Sequence, residues 1–208
     1  MKYSRNLLVV AGLALGLGAL GACVPEGGGG SVVTSTTTTT PVAPPCDPAQ
    51  LVPGGSVAWG CSLAGANLAG LDLTGISLPQ VNLTGANLTG TILANSYMPD
   101  VIFDGATMVG ANFSGANIKY SSMRNVFGAN VDFTGAILVQ IDFTGSQFSP
   151  AKFVNADLTL ATMVQIELKL ADFTGANGAG LVVDTTTGCP DASNWDPVTH
   201  CRGGLPND

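Results

Sequence analysis

The residue types best suited to chemistry are few in this chain of 208 residues: five cysteines, one histidine and fourteen acids. His200 stands beside Cys201 with no second base or nucleophile in its segment, which is no proton-transfer constellation. Asp191, Asn194 and Asp196 have the spacing of calcium ligands. They lack the central glycine and the distant bidentate glutamate such a loop needs. Cys46, Cys61, Cys189 and Cys201 do not have zinc-ligand spacing, and an even number of cysteines in an exported chain points to disulfides. No glycine motif of the phosphate-cradling kind occurs. These residues predict no catalytic group, no metal and no cofactor, and so no enzyme.

Cys23 carries different chemistry. Lys2 and Arg5 form a positive start, and Leu7 to Leu20 is an apolar run too short for a bilayer, which takes ~20 residues. Leu20-Gly21-Ala22-Cys23 then resembles a bacterial lipobox, with a small residue before the cysteine. Cleavage there would make Cys23 a lipidated N-terminus, and two or more acyl chains hold a protein stably on a membrane. The expected address is the bacterial cell envelope, extracytoplasmic, with the membrane as a partner through the lipid. Once Lys2 and Arg5 are removed, five cations face fourteen acids, a surface that repels nucleic acid and anionic headgroups.

The elements that follow divide the chain. Residues 1–22 are the leader, and 23–45 a Gly/Thr/Pro-rich tether that cannot bury a core. Its 22 residues after Cys23 would average ~25 Å end to end. Residues 46–60 bring Leu51, Val52, Val57 and Trp59 as an N-terminal cap, 61–180 are repeats, and 181–208 form a tail that includes Trp195.

The repeats have a period of five. Leu, Phe, Met or Ile recurs at Leu63, Leu68, Leu73 and every fifth position to Phe173, with Gly128 the exception. Two residues earlier stand small or apolar residues such as Cys61, Ala66, Leu71 and Ile76, expected to point inward. The residue directly before the centre is usually Asn, Asp, Ser or Thr, expected to face water. Such a pattern fits neither 3.6 nor 2, but it fits a chain that turns a corner in every repeat. Gly or Asn two positions after most centres suits the positive φ of a type II turn. A longer beat of twenty is nested inside. Gln80, Asp100, Tyr120, Gln140 and Leu160 lack that glycine, so one corner in four should be built differently. Phe113, Phe133, Phe153 and Phe173 should form an aromatic ladder, and Leu78, Met98, Ile118, Leu138 and Leu158 an aliphatic column.

ANLAG, ANLTG, ANFSG, ADLTL and ADFTG closely resemble the pentapeptide-repeat family consensus, A-(D/N)-L-x-x. The resemblance implies an all-β fold: a right-handed quadrilateral β-helix of about six coils, with disulfide-stapled caps at both ends. At ~4.8 Å per coil the rod would be ~28 Å long. On that length Cys46 and Cys61 lie at one end and Cys189 and Cys201 at the other. Bridged Cα atoms must lie within ~7 Å, so the expected pairs are Cys46–Cys61 and Cys189–Cys201.

Gly128 is expected to leave a void beside Met108 and Phe148 that Val126 partly fills. Phe127 either faces outward or is tucked in by a local slip of register. Some cytoplasmic members of the family are DNA-mimicking inhibitors of type II topoisomerases. The acids here are scattered among Lys119, Arg124, Lys152 and Lys169, whereas a phosphate mimic needs a dense one-sign stripe. The expected function is a non-catalytic structural or protein-interaction module, monomeric, with an envelope protein as its partner. A glycan- or metal-binding lipoprotein is the alternative. The candidate binding face is the unusual corner, with Tyr97, Pro99, Lys119, Tyr120, Ile137, Val139, Gln140 and Leu160 outward.

Overall fold

The computed structural model describes residues 46–184. Cys23, the tether, the Cys189–Cys201 pair, Asp191, Asn194, Asp196 and His200 lie outside them. Among the described residues no helix is long and apolar enough to cross a membrane.

From Cys61 onward the chain winds through four short faces per coil, and each residue before a centre pairs in parallel with the residue twenty further on. The first face runs Ser62, Asn82, Ile102, Ser122, Asp142, Thr162, Val182, and the second Asn67, Asn87, Thr107, Phe127, Gln147, Glu167. The third runs Asp72, Ile92, Asn112, Asp132, Lys152, Asp172, and the fourth Ser77, Tyr97, Asn117, Ile137, Asp157, Asn177. Among the described residues, only at Val131–Asp132 with Ala151–Lys152, and Thr162–Met163 with Val182–Val183, is the pairing more than a single residue long. The ladder thus continues to Val183, beyond the point where the five-residue sequence pattern fails.

One repeat shows how five residues make a side and a corner. Asn82 N–H donates back to Cys61 C=O (3.1 Å), while Leu83 N–H and Gly85 N–H donate forward to Ile102 and Asp104 C=O (2.7 and 2.9 Å). Ala86 N–H then closes the turn on Leu83 C=O (3.0 Å), and Gly85 takes φ 65°. The Asn/Asp slot does more than face water. Asn82 Oδ1 accepts from Thr84 N–H (2.9 Å), and the same side-chain cap recurs at Asp72, Asn87, Asn112, Asp132, Asp142, Asp157 and Asp172. This Asx cap starts each turn and accounts for the Asn/Asp of the consensus.

The centres fill the interior. Phe113, Phe133, Phe153 and Phe173 stack in sequence at 5.3, 5.1 and 4.8 Å between ring centroids, the planes tilted by 21°, 17° and 2°. Leu78, Met98, Ile118, Leu138 and Leu158 are the buried column on the adjacent, fourth face. Four hydroxyls share this core, and each has a partner. Ser121 Oγ accepts from Val101 N–H (3.0 Å) and donates to Met98 C=O (3.3 Å), replacing a direct turn bond with a bridge. Ser146 does the same between Val126 N–H and Met123 C=O.

Two expectations need correction, at Gly128 and Leu71, and of the two alternatives for Phe127 the outward one holds. Gly128 leaves no void to be filled by Val126: a Cβ built there would lie 2.5 Å from Phe148 Cε1, so the Phe148 ring occupies the space. Register does not slip, because Phe127 pairs with both Thr107 and Gln147 and is 50% exposed. Leu71, placed inward by the repeat, is exposed on the outermost coil.

The cap is less irregular than its sequence. Asp47 caps the short 3-10 turn Pro48–Gln50 by accepting from Ala49 N–H (2.9 Å), and Leu51 is buried. Gly54 N–H then donates to Thr74 C=O and Val57 N–H to Ser77 C=O, while Ser56 pairs with Ser77. That pairing spans one residue more than the regular twenty, and the extra residue is absorbed before Gly60, beside exposed Trp59. Cys46 N–H bonds Ser62 C=O (3.1 Å), and the Cys46–Cys61 disulfide closes the cap with Cα atoms 5.4 Å apart.

Candidate interaction surface

The fourth face and its corner with the first face form the surface singled out by the longer beat. The corner residues are Gln80, Asp100, Tyr120, Gln140 and Leu160. Their φ angles run from 54° to 62°, against 64° to 74° at the glycines. The corner is therefore not built differently: its backbone repeats that of the other three. What differs is the side chain. The left-handed region costs an ordinary L-residue ~1–2 kcal/mol, and here five successive coils carry one there. The ladder holds them in place. Tyr120 N–H donates to Val139 C=O, Gln140 N–H to Thr159 C=O and Leu160 N–H to Ala179 C=O, each 2.9 Å.

Asparagine handles the same geometry elsewhere by a second device. Asn95 lays its Oδ1 across the glycine one coil on, 2.5 Å from where a Gly115 Cβ would stand. Asn125 over Gly145 and Asn155 over Gly175 repeat the arrangement, whereas Asn130, also at positive φ, has Pro150 one coil on.

Tyr97, Tyr120, Ile137 and Leu160 are 47%, 50%, 40% and 52% exposed. They alternate: Tyr97 and Ile137 sit mid-face on one coil and the next but one, Tyr120 and Leu160 at the corner on the coils between and beyond. Lys119 is half-buried, its Nζ 5.4 Å from the Tyr120 ring centre. Gln140 is exposed and Val139 half-buried, but Pro99 is buried and leaves the set. Its carbonyl accepts from Gln80 N–H of the preceding coil (2.9 Å). Ile102, two residues past Asp100, is exposed and belongs beside the strip; Phe127 and Leu170 are exposed on other faces. Ile102 and Phe127 had a signal in the sequence, an apolar residue in the slot the repeats give to Asn, Asp, Ser or Thr.

Three of the four cations among the described residues face carboxylates. Arg124 Nε holds Asp142 Oδ2 at 2.5 Å while the Arg124 backbone N–H donates to Asp104 Oδ1, Lys152 lies 3.8 Å from Asp132, and Lys169 lies 3.2 Å from Glu167. The Asp142 partnership raises the Arg124 pKa further. Burial pushes the Asp142 carboxyl up, but hydrogen bonds from Thr144 and Arg124 outweigh it and hold it below the ordinary value. Asp72 and Asp172 are also lowered, chiefly by the Thr74 and Thr174 hydroxyls. These shifts belong to turn caps and an ion pair rather than to a reacting centre. Among the described residues no cluster of His, Cys, Asp or Glu could hold a metal.

The sequence matches Pentapeptide repeats in eight copies, over residues 61–98, 82–119, 100–127 and 129–163. A comparison with curated proteins returns no match. Solved structures similar to this chain include QnrB1, a plasmid-mediated fluoroquinolone resistance protein, at 17% identity. It covers 68% of this chain and 88% of that one, with a TM-score of 0.48. HetL of Nostoc sp. strain PCC 7120, a pentapeptide repeat protein involved in heterocyst differentiation regulation, is 21% identical. It covers 67% of this chain and 74% of that one, with a TM-score of 0.37. A pentapeptide repeat protein of the Arabidopsis thaliana thylakoid lumen is 24% identical, covering 56% of this chain and 73% of its own, also at 0.37. Matched repeats, a twenty-residue ladder and four corners per coil agree, and the chain belongs to the pentapeptide-repeat family.

Proposed function

We propose that this protein is an extracytoplasmic lipoprotein of a bacterial envelope, anchored through Cys23, whose rod is a non-catalytic protein-interaction module. One observation supports the interaction reading above the rest: five successive corners keep ordinary side chains in a left-handed backbone that glycine would occupy at no steric cost. That column, with Tyr97 and Ile137 beside it, is the working face. The anchor rests on Leu20-Gly21-Ala22-Cys23, and the tether holds the rod off the lipid surface.

The test of the face is affinity capture from envelope extract with the parent and a Tyr97→Ser/Tyr120→Ser/Leu160→Ser variant. The reading holds if a captured protein is lost with the variant, and fails if both capture the same set. The anchor is tested separately by labelled palmitate, which a Cys23→Ala chain should no longer incorporate. Exposed tyrosines beside Asp100, Asn117 and Gln140 also suit sugar hydroxyls and ring faces, which favours a glycan as the second reading. Binding on a glycan array that the same triple variant abolishes would select it.

A further inference from the structure

The spacing of the exposed strip sets a length that a ligand must match. Tyr97 and Ile137 are forty residues apart on the fourth face, two steps of the parallel ladder through Asn117. Tyr120 and Leu160 are two steps apart at the corner. Parallel strands lie about 4.8 Å apart, so the two apolar anchors of each row stand ~9.6 Å apart along the rod, the rows staggered by one coil. An extended β-strand repeats each face every ~6.7 Å and would lose register by the second anchor. Two turns of an α-helix advance ~10.8 Å, more than an ångström too long. A polyproline II helix repeats every three residues at 3.1 Å, about 9.3 Å, and matches that step most nearly of the three.

Charge narrows the partner further. Arg124, Lys152 and Lys169 each face a carboxylate, so they offer an anionic partner little. Lys119 sits over Tyr120, while Asp100 is exposed at the corner, between Tyr97 and Tyr120 along the rod. The described repeats carry more acids than bases. A neutral to basic chain is the electrostatic complement, with one cationic side chain for Asp100.

We propose that the Tyr97–Tyr120–Ile137–Leu160 strip docks a proline-rich polypeptide segment in the polyproline II form, its prolines three residues apart on the two apolar rows and a basic residue at Asp100. Such helices are stiff before binding and dock on aromatic surfaces with little ordering cost. Their exposed carbonyls meet the donors along the strip, Tyr120 Oη and the Gln140 and Asn117 amides. This proposal rests on the reading of the strip as a protein-binding face, and is independent of the lipid anchor.

The test is fluorescence anisotropy of a labelled peptide, Pro-Pro-Arg-Pro-Pro-Thr-Pro-Pro-Thr, titrated with the full chain in mild detergent. Controls are a Gly/Ser peptide with one arginine, an alanine-rich helical peptide and a linear β-linked oligosaccharide. The proposal predicts saturable binding of the proline-rich peptide alone. Binding should weaken at least tenfold with Tyr97→Ser/Tyr120→Ser and severalfold with Asp100→Asn, while thermal melting shows both variants folded. Replacing the peptide's arginine by threonine should abolish the Asp100→Asn effect. Equal or tighter binding of any control, no binding at all, or binding indifferent to the Tyr97→Ser/Tyr120→Ser variant would overturn it. If the proline-rich peptide fails while envelope capture still depends on the strip, only the ligand class is wrong. If both fail, the strip is not a binding face.

Discussion

Tyr120 and Leu160 hold a left-handed backbone without the freedom of glycine or asparagine's tolerance of that region. Replacing either by glycine should therefore raise stability by about 1 kcal/mol, since each is half exposed and loses little packing. Chemical denaturation of Tyr120→Gly and Leu160→Gly checks this, and a loss of stability would mean the rings pack more than their exposure shows. The corner asparagines give a second expectation. Gly105 has open space around an added Cβ, whereas Gly115 meets Asn95 Oδ1. Both Gly→Ala variants carry the ~1–2 kcal/mol cost of positive φ, but Gly115→Ala should cost more, and Asn95→Gly should recover the difference. A double-mutant cycle across Asn95 and Gly115 measures that coupling directly. Protonation acts at this scale as well. Asp72, Asp142 and Asp172 have folded pKa values below the ordinary carboxylate value of about 3.9. Their contribution is present above that value and is lost as pH falls through the lowered folded values. Melting temperature should thus hold from pH 7 to about 5 and fall below about pH 4. Asn at all three positions should flatten that fall.

At the scale of the side and its corner, the five-residue period was legible because each position has its own physical demand. The centres must fill a narrow interior, and the corner must accept positive φ. The Asn/Asp slot was read only as facing water, because a sequence shows polarity but not the backbone N–H it caps. The twenty-residue beat was legible for the phenylalanine stack. It misled at the fourth corner, where unusual side chains suggested an unusual backbone. The ladder imposes its geometry on Tyr120 and Leu160 as on Gly65, since bonds above and below fix each corner. Gly128 was out of reach for a related reason. An absent side chain reads as a gap, yet interiors close-pack, and the Phe148 ring on the next coil had the reach to fill it. Gly128→Ala should accordingly destabilise by about 1–3 kcal/mol despite its small size, by forcing that ring aside. Chemical denaturation would check it, and a near-neutral result would show that Phe148 swings away at little cost. Ile102 was missed because the longer beat directed attention to one column, while an apolar residue in the Asn/Asp slot was a signal of its own.

For the whole molecule, each coil contacts only the coils next to it, so stability is a sum over neighbours and depends on closed ends. The Cys46–Cys61 bridge ties the cap to the first coil, with a sequence separation of 15. Its reduction should cost about 3 kcal/mol on the chain-entropy account. Hydrogen exchange should then quicken from Cys61 to Leu73 while Phe133 to Phe153 keep their protection. Uniform quickening along the rod would instead show that the coils melt as one unit.

The same bridge decides how the protein would respond to force. A pull on the chain at Cys46 passes through the two sulfurs straight into Cys61, skipping the cap residues between them. It then bears on the edge of the first coil, where hydrogen bonds run parallel to the rod axis. A load along that axis strips one coil at a time rather than shearing the stack. Each stripped coil of twenty residues releases some 65–70 Å of slack. Under a load applied at Cys46 the rod would thereby be a store of extension that yields in steps, giving way at the bridged end while the far coils keep their shape.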